Sequence, residues 1–197
     1  MIKLRLRSAF RKSRDQRGVT LLETAIVLPM LLMLAIGVAE VGFLVIDQMA
    51  VANAAREGAR VGAAAGPYED STGTIDADDL ILRSVERALC HLENGRAERV
   101  LIYASDANGG QVSSTQVNEY VLPVATSLNC TSSGSTAFVC VTCPWDPVTR
   151  DNTPPDLVDI GVEVEYKHDP ILGIFPFTSV LDLSDRAVMR IEPDTRG

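Results

Sequence analysis

Residues 17–46 read RGVTLLETAIVLPMLLMLAIGVAEVGFLVI, and this stretch decides the fold. From Val19 to Ile46 the only charges are Glu23 and Glu40. The run from Thr24 to Ile46 makes a helix roughly 30 Å long or slightly more, enough to cross the hydrocarbon core of a bilayer. Pro29 removes one helical hydrogen bond and bends the segment, which membrane helices tolerate. A buried core helix is the competing reading, but the length of the run and its basic flank speak against it.

Toward the N-terminus, residues 1–18 hold seven of the 18 cations and one acid, Asp15, for a net charge of +6. The remaining residues carry 11 cations and 25 acids, or −14. That asymmetry predicts a cytoplasmic head and an acidic body across the membrane. A cleaved secretory signal also has a basic head and an apolar run. Its apolar core is usually only ~7–15 residues long with a small-x-small exit, and here Ala50-Val51-Ala52 lies beyond Asp47. The acidic body argues against a nucleic-acid binder, which needs a basic surface to displace phosphate counterions. Hydrophobic residues make up 46% of the chain, which excludes general disorder.

The junction carries a more specific signal. Arg17-Gly18-Val19-Thr20-Leu21-Leu22-Glu23 places Gly at the end of the basic head and an acid five residues later. This resembles the type IV prepilin processing site, where a membrane peptidase cuts after Gly and leaves the apolar helix on the mature protein. The run Glu23-Thr24-Ala25-Ile26-Val27-Leu28-Pro29 is followed by Gly37, Glu40 and Gly42, and then by Asn53-Ala54-Ala55-Arg56-Glu57-Gly58-Ala59-Arg60-Val61-Gly62-Ala63. The whole pattern resembles the TadE family, pseudopilin-like proteins of tight-adherence, Flp-type pilus systems. The resemblance covers about residues 17–64 and is loose beyond, through a late Arg186–Glu192 run.

The resemblance implies a leader over 1–18, with Gly18 its last residue, Val19 the new N-terminus and Glu23 the fifth mature residue. It implies a prepilin peptidase, other pilins or pseudopilins and the pilus secretion machinery as partners. The expected location is the bacterial inner membrane, with a cytoplasmic N-terminus and the C-terminal domain outside, or a surface pilus. The expected role is assembly of an adhesive pilus without catalysis. A carboxylate near the end of a membrane helix is costly without a partner. The likeness to pilins implies the Val19 amine as a partner for Glu23, while snorkelling to the headgroups is the alternative. Glu40 should face a partner helix or the outer interface. Glu23 and Glu40 lie about 100° apart around a helix, so they are not an acid–base pair.

Gly37 and Gly42 thin the outer half of the helix. Small residues then recur at every fourth position, Ala50, Ala54, Gly58, Gly62 and Gly66, making a stripe that admits close packing. Two partners fit that stripe equally: another subunit, or the protein's own domain.

The segment over 19–65 is expected to be one helix stopped by Gly66-Pro67. The rest, 66–197, is expected to be a small extracytoplasmic α+β domain with an antiparallel sheet, giving a pilin-like lollipop. Asp76 is a candidate cap for a helix to about Leu92, with Leu80, Val85, Ala88, Leu89 and Leu92 on its apolar side. Strands are expected at Val100–Ala104, Ala137–Val141, Val158–Tyr166 and Arg186–Glu192, with a turn at Asp106–Gly110 and a loop at Pro144–Pro155. Residues 117–128 are ambiguous, and Leu172–Leu183 is apolar but broken by Pro176.

Cys90, Cys130, Cys140 and Cys143 read as up to two disulfides in an oxidising compartment, with three pairings open. Cys130–Cys140 would close a short hairpin, and Cys140–Cys143 has the spacing of a redox pair. Zinc and free thiols are the alternatives, although Cys90-His91 is a poor second ligand pair. No metal or cofactor is expected. Neither His91 nor His168 belongs to a recognisable nucleophile or metal motif, and no phosphate loop, dinucleotide fingerprint or Gly-x-Ser-x-Gly is present. Asp76, Asp78 and Asp79 read as helix-start acids. Two other classes stay open beside the pilus reading: an uncleaved single-pass binding module of the envelope, and a thiol-redox protein.

Overall fold

The computed structural model describes residues 14–92, 95–124, 126–131, 136–170 and 179–193, with side chains from Gly18 onward. The first element is helix α1, Arg14–Ala65, of 52 residues with Pro29 inside it. It stops where expected: Gly66 takes φ +56, a left-handed conformation that glycine adopts without steric penalty. Helix α2 follows at Ala77–Leu89. The strands are β1 (Gly95–Ala104), β2 (Val117–Val121), β3 (Val139–Thr142), β4 (Asp159–His168) and β5 (Leu181–Arg190). They form one antiparallel sheet in the order β3-β2-β1-β4-β5. The class is α+β: a long apolar N-terminal helix followed by a small five-stranded domain with a second helix.

Two compact units divide at Gly42 and Phe43, inside α1. In the first, the apolar side chains are bare. Val19 is 66% exposed, Leu22 64%, Met30 69% and Leu34 66%, in a helix long and apolar enough to cross a membrane. A soluble protein rarely leaves so many large aliphatics in water, because each contributes about 1.5–3 kcal/mol when buried.

The second unit starts at Phe43 and includes the end of α1. Val51, Ala54, Ala55 and Ala59 join Ile81, Leu82, Val85 and Leu89 of α2 and the inward residues of the sheet in one core. Strand β4 shows why the sheet has an inner face. Ile160, Val162, Val164 and Tyr166 alternate inward and are buried, and Val100, Ile102 and Ala104 of β1 lie across from them. The opposite face is less solvated than the alternation predicts. The Tyr103 ring covers Gly161, and the Arg99 guanidinium pairs with both Glu165 and Glu119.

Helix α2 begins where the sequence places it, with Asp76 accepting from the Asp79 amide at 2.9 Å and Asp79 reaching back to the Asp76 amide. Its buried stripe is rotated from expectation: Ile81 and Leu82 are buried, whereas Leu80, Ala88 and Leu92 are half-buried. The cause is α1, whose Gly58 and Gly62 meet Ile81 and Val85. The ambiguous residues 117–128 contain β2. Strand β3 is displaced two residues forward of its expected start, and β5 begins at Leu181, within the apolar run. Pro176 lies outside the described residues. The expected loop at Pro144–Pro155 holds a short 3-10 turn, Pro147–Thr149, begun by Asp146.

Candidate functional site

The proposed processing junction sits on α1. Gly18, Val19 and Glu23 are all exposed, and the Thr24 hydroxyl donates to the Thr20 carbonyl at 2.9 Å, an intrahelical bond. Glu23, Thr24, Val27, Leu28 and Leu31 line one shallow hollow of about 280 Å³ on this bare surface. Glu40, by contrast, is only 4% exposed. The two glutamates therefore occupy unlike surroundings.

The small residues separate into two groups. A β-carbon added at Gly37 or Gly42 would meet nothing within 4 Å. At Gly58 it would meet Val85 Cγ2 at 3.0 Å and Val162 Cγ1 at 3.1 Å, and at Gly62 it would meet Ile81 Cδ1 at 2.8 Å. Ala54 is fully buried. At Gly58 and Gly62 the stripe faces α2 and β4 of its own domain, so the absence of side-chain bulk there lets the helix approach the sheet closely.

Two buried polar clusters tie loops to this frame, and the sequence marks neither. Asp47 Oδ2 of α1 lies 2.6 Å from His168 Nδ1 at the end of β4. The Asp78 carboxylate accepts from Arg150 Nη2 at 2.5 Å, Asn118 Nδ2 at 2.7 Å and Tyr120 Oη at 2.9 Å. Arg150 stacks on Trp145, 4.3 Å from its ring centroid, and Asn118 bonds both the Trp145 amide and its carbonyl. Burial and the adjacent Asp78 charge push the Tyr120 phenol upward, so it remains a donor. Asp78 is thus the acceptor at the centre of a cluster, not merely one of three helix-start acids. Its partners are 40 or more residues away in sequence, so local pattern could not find them.

Glu86 is buried and accepts from the Thr136 hydroxyl at 2.9 Å and the Ala137 amide at 2.5 Å. Burial raises its pKa above the ordinary glutamate range, against those hydrogen bonds, which lower it. Asp79 is raised likewise by burial and then by the neighbouring Asp76 charge. The four cysteines pair as Cys90–Cys130 and Cys140–Cys143. The hairpin pairing Cys130–Cys140 is not formed, because Cys130 lies against the end of α2 while Cys140 sits on β3. Among the described residues no group of His, Cys, Asp and Glu is arranged to hold a metal ion.

An unburied apolar helix of membrane-spanning length, joined in sequence to a disulfide-bonded α+β domain, defines the class as a candidate membrane-anchored protein with a small folded body. Residues 18–60 match the family model described as TadE-like protein. The match begins at the glycine of the junction and ends within the part of α1 that packs into the domain. The family is one of Tad/Flp pilus-associated proteins, generally without enzymatic activity. No curated protein and no solved structure matches the chain.

Proposed function

We propose that this protein is a TadE-like minor pilin or pseudopilin, acting in the assembly of a Flp-type adhesive pilus. It is made as a precursor, cut between Gly18 and Val19 by a prepilin peptidase, and held in the inner membrane by α1 with residues 66–197 outside. The cut frees the Val19 amine as a cation for Glu23, on the same or a neighbouring subunit, which offsets the cost of a carboxylate at the membrane face. The helix then associates with other pilins and the secretion machinery.

The observation that carries this reading is coincidence of position. The family match starts at Gly18, and the apolar run of the sequence starts at the next residue, Val19. The test is the mass of the mature protein in cells with and without the peptidase. Loss of the 18-residue head only when the peptidase is present supports the proposal. An intact head in both strains removes it and leaves an uncleaved single-pass anchor carrying a binding domain.

A further inference from the structure

The two disulfides differ in what surrounds them, and the difference assigns them different work. Cys90 and Cys130 are 40 residues apart, and their bond ties the long segment after β2 to the end of α2. Cys140 and Cys143 are three residues apart and both belong to the β3 segment at the edge of the sheet. A loop that short constrains the unfolded chain least. It also constrains the folded chain little, because β3 is anchored on both sides without it. Before the strand, Phe138 is buried, and Glu86 holds Thr136 and the Ala137 amide. After it, Trp145 is buried and doubly bonded to Asn118. Opening Cys140–Cys143 therefore leaves β3 in place and keeps the two sulfurs near each other, so that the bond can close again.

Access is one-sided. Every residue of β3 is exposed, with Cys140 between Val139 at 54% and Val141 at 62%, whereas Cys143 is half-buried beside the Glu119 carbonyl. A thiolate arriving from solvent meets Cys140 first, on an apolar shoulder suited to a protein partner.

We infer that Cys140–Cys143 is a reversible thiol–disulfide exchange site for a dithiol protein, and that Cys90–Cys130 is the bond that holds the fold. The partner's thiolate attacks the Cys140 sulfur. A mixed disulfide forms there, and the Cys140–Cys143 bond breaks with its electron pair on the Cys143 sulfur, which takes up a proton. The partner's second thiolate attacks its own sulfur in the mixed disulfide and expels Cys140 as a thiolate, which is then protonated. The partner dithiol becomes a disulfide, and two electrons and two protons have moved to Cys140 and Cys143. Without that second attack, Cys143 reattacks Cys140 and the partner is released unchanged.

The test uses the full chain in detergent micelles, with dithiothreitol as the dithiol. Samples equilibrated at graded concentrations are quenched with an alkylating reagent and mapped by peptide mass spectrometry. Trp145, the only tryptophan, reports the end of β3 by its emission. The expected result is a range in which Cys140 and Cys143 are alkylated at least about tenfold more than Cys90 and Cys130, with unchanged Trp145 emission. Transfer to oxidised glutathione should restore the bond. Opening of Cys90–Cys130 first or together with it, or a Trp145 shift to the unfolded position when Cys140–Cys143 opens, overturns the inference. In a second arm, Cys143→Ser treated with oxidised glutathione should gain one glutathione on Cys140. A protein that stays unmodified there, or fails to fold, overturns it equally. Neither arm depends on cleavage at Gly18, so this inference and the pilus reading fail separately.

Discussion

Asp47 and His168 are 121 residues apart in sequence and 2.6 Å apart in space, both buried, and they join α1 to the last residue of β4. Asp47 is the last charge before the alanine- and glycine-rich end of the helix, so the pair fixes where the helix settles along the sheet. Asp47→Ala leaves the imidazole buried without that partner. A loss of about 1–3 kcal/mol is expected, the range for a stranded buried polar group. Urea unfolding of residues 43–197 within the full chain, followed by Trp145 emission, measures it. A midpoint equal to wild type would show that the pair contributes nothing.

Glu86 gives a pH dependence with a definite sign. Its folded pKa is raised by burial, so the folded state holds the proton more tightly than the unfolded chain does. The resulting stability is fully present below the ordinary glutamate value and is lost as pH rises through the raised folded value. Glu86→Gln keeps an oxygen for Thr136 and the Ala137 amide but cannot ionise. It should equal or exceed wild type in melting temperature near pH 7 and fall behind it toward pH 4. Melting curves across that range decide, and parallel curves for the two proteins would refute the assignment.

On the outer face of the sheet, a β-carbon at Gly161 would lie 2.3 Å from Tyr103 Cε2. Gly161→Ala must displace the ring and weaken the Tyr103 hydroxyl's bond to the Gly109 carbonyl, which spans 3.2 Å. A destabilisation of about 1–3 kcal/mol follows from overpacking. In a Tyr103→Ala background the same substitution should cost less, giving a measurable coupling energy. Additive effects in the four-member cycle would mean that the ring and the glycine are independent.

Helix α1 offers a contrast within one element. Gly58→Leu drives a side chain into Val85 and Val162 and should lower domain stability by about 1–3 kcal/mol or more. Gly37→Ala enters open space and should leave the domain's unfolding midpoint where it was. Equal effects at the two sites would contradict the division of the helix into a bare part and a packed part.

The elements that the sequence revealed are those governed by local rules. Gly66-Pro67 ended α1 and Asp76 capped α2, because termination and capping are decided within a few residues. Strand β4 was legible because its alternation is unbroken from Asp159 to Tyr166. Strands β2 and β5 were harder. The first is five residues long in an ambiguous stretch, and the second starts at Leu181, inside an apolar run and ahead of the Arg186 start that was expected. In the candidate site, the junction proposed at Gly18 rests on the coincidence there of charge, glycine and apolar onset. The partner of the small-residue stripe was not, since Ala54, Gly58 and Gly62 suit any close neighbour, and only the positions of Ile81, Val85 and Val162 identify it. The pairs Asp47–His168 and Asp78–Arg150 were invisible for a simpler reason: nothing local joins them.

The end of α1 completes its packing only with residues far along the chain. Ala63 accepts from the Glu192 amide, and Asp47 waits for His168. In a chain that emerges from its N-terminus, the packing face of Phe43–Ala65 stays unmatched while more than a hundred further residues are delivered. Biosynthesis therefore imposes an interval in which the anchor is already made and its folded body is not. An alanine and glycine surface admits any close neighbour, so during that interval the stripe that permits tight final packing is also open to wrong partners.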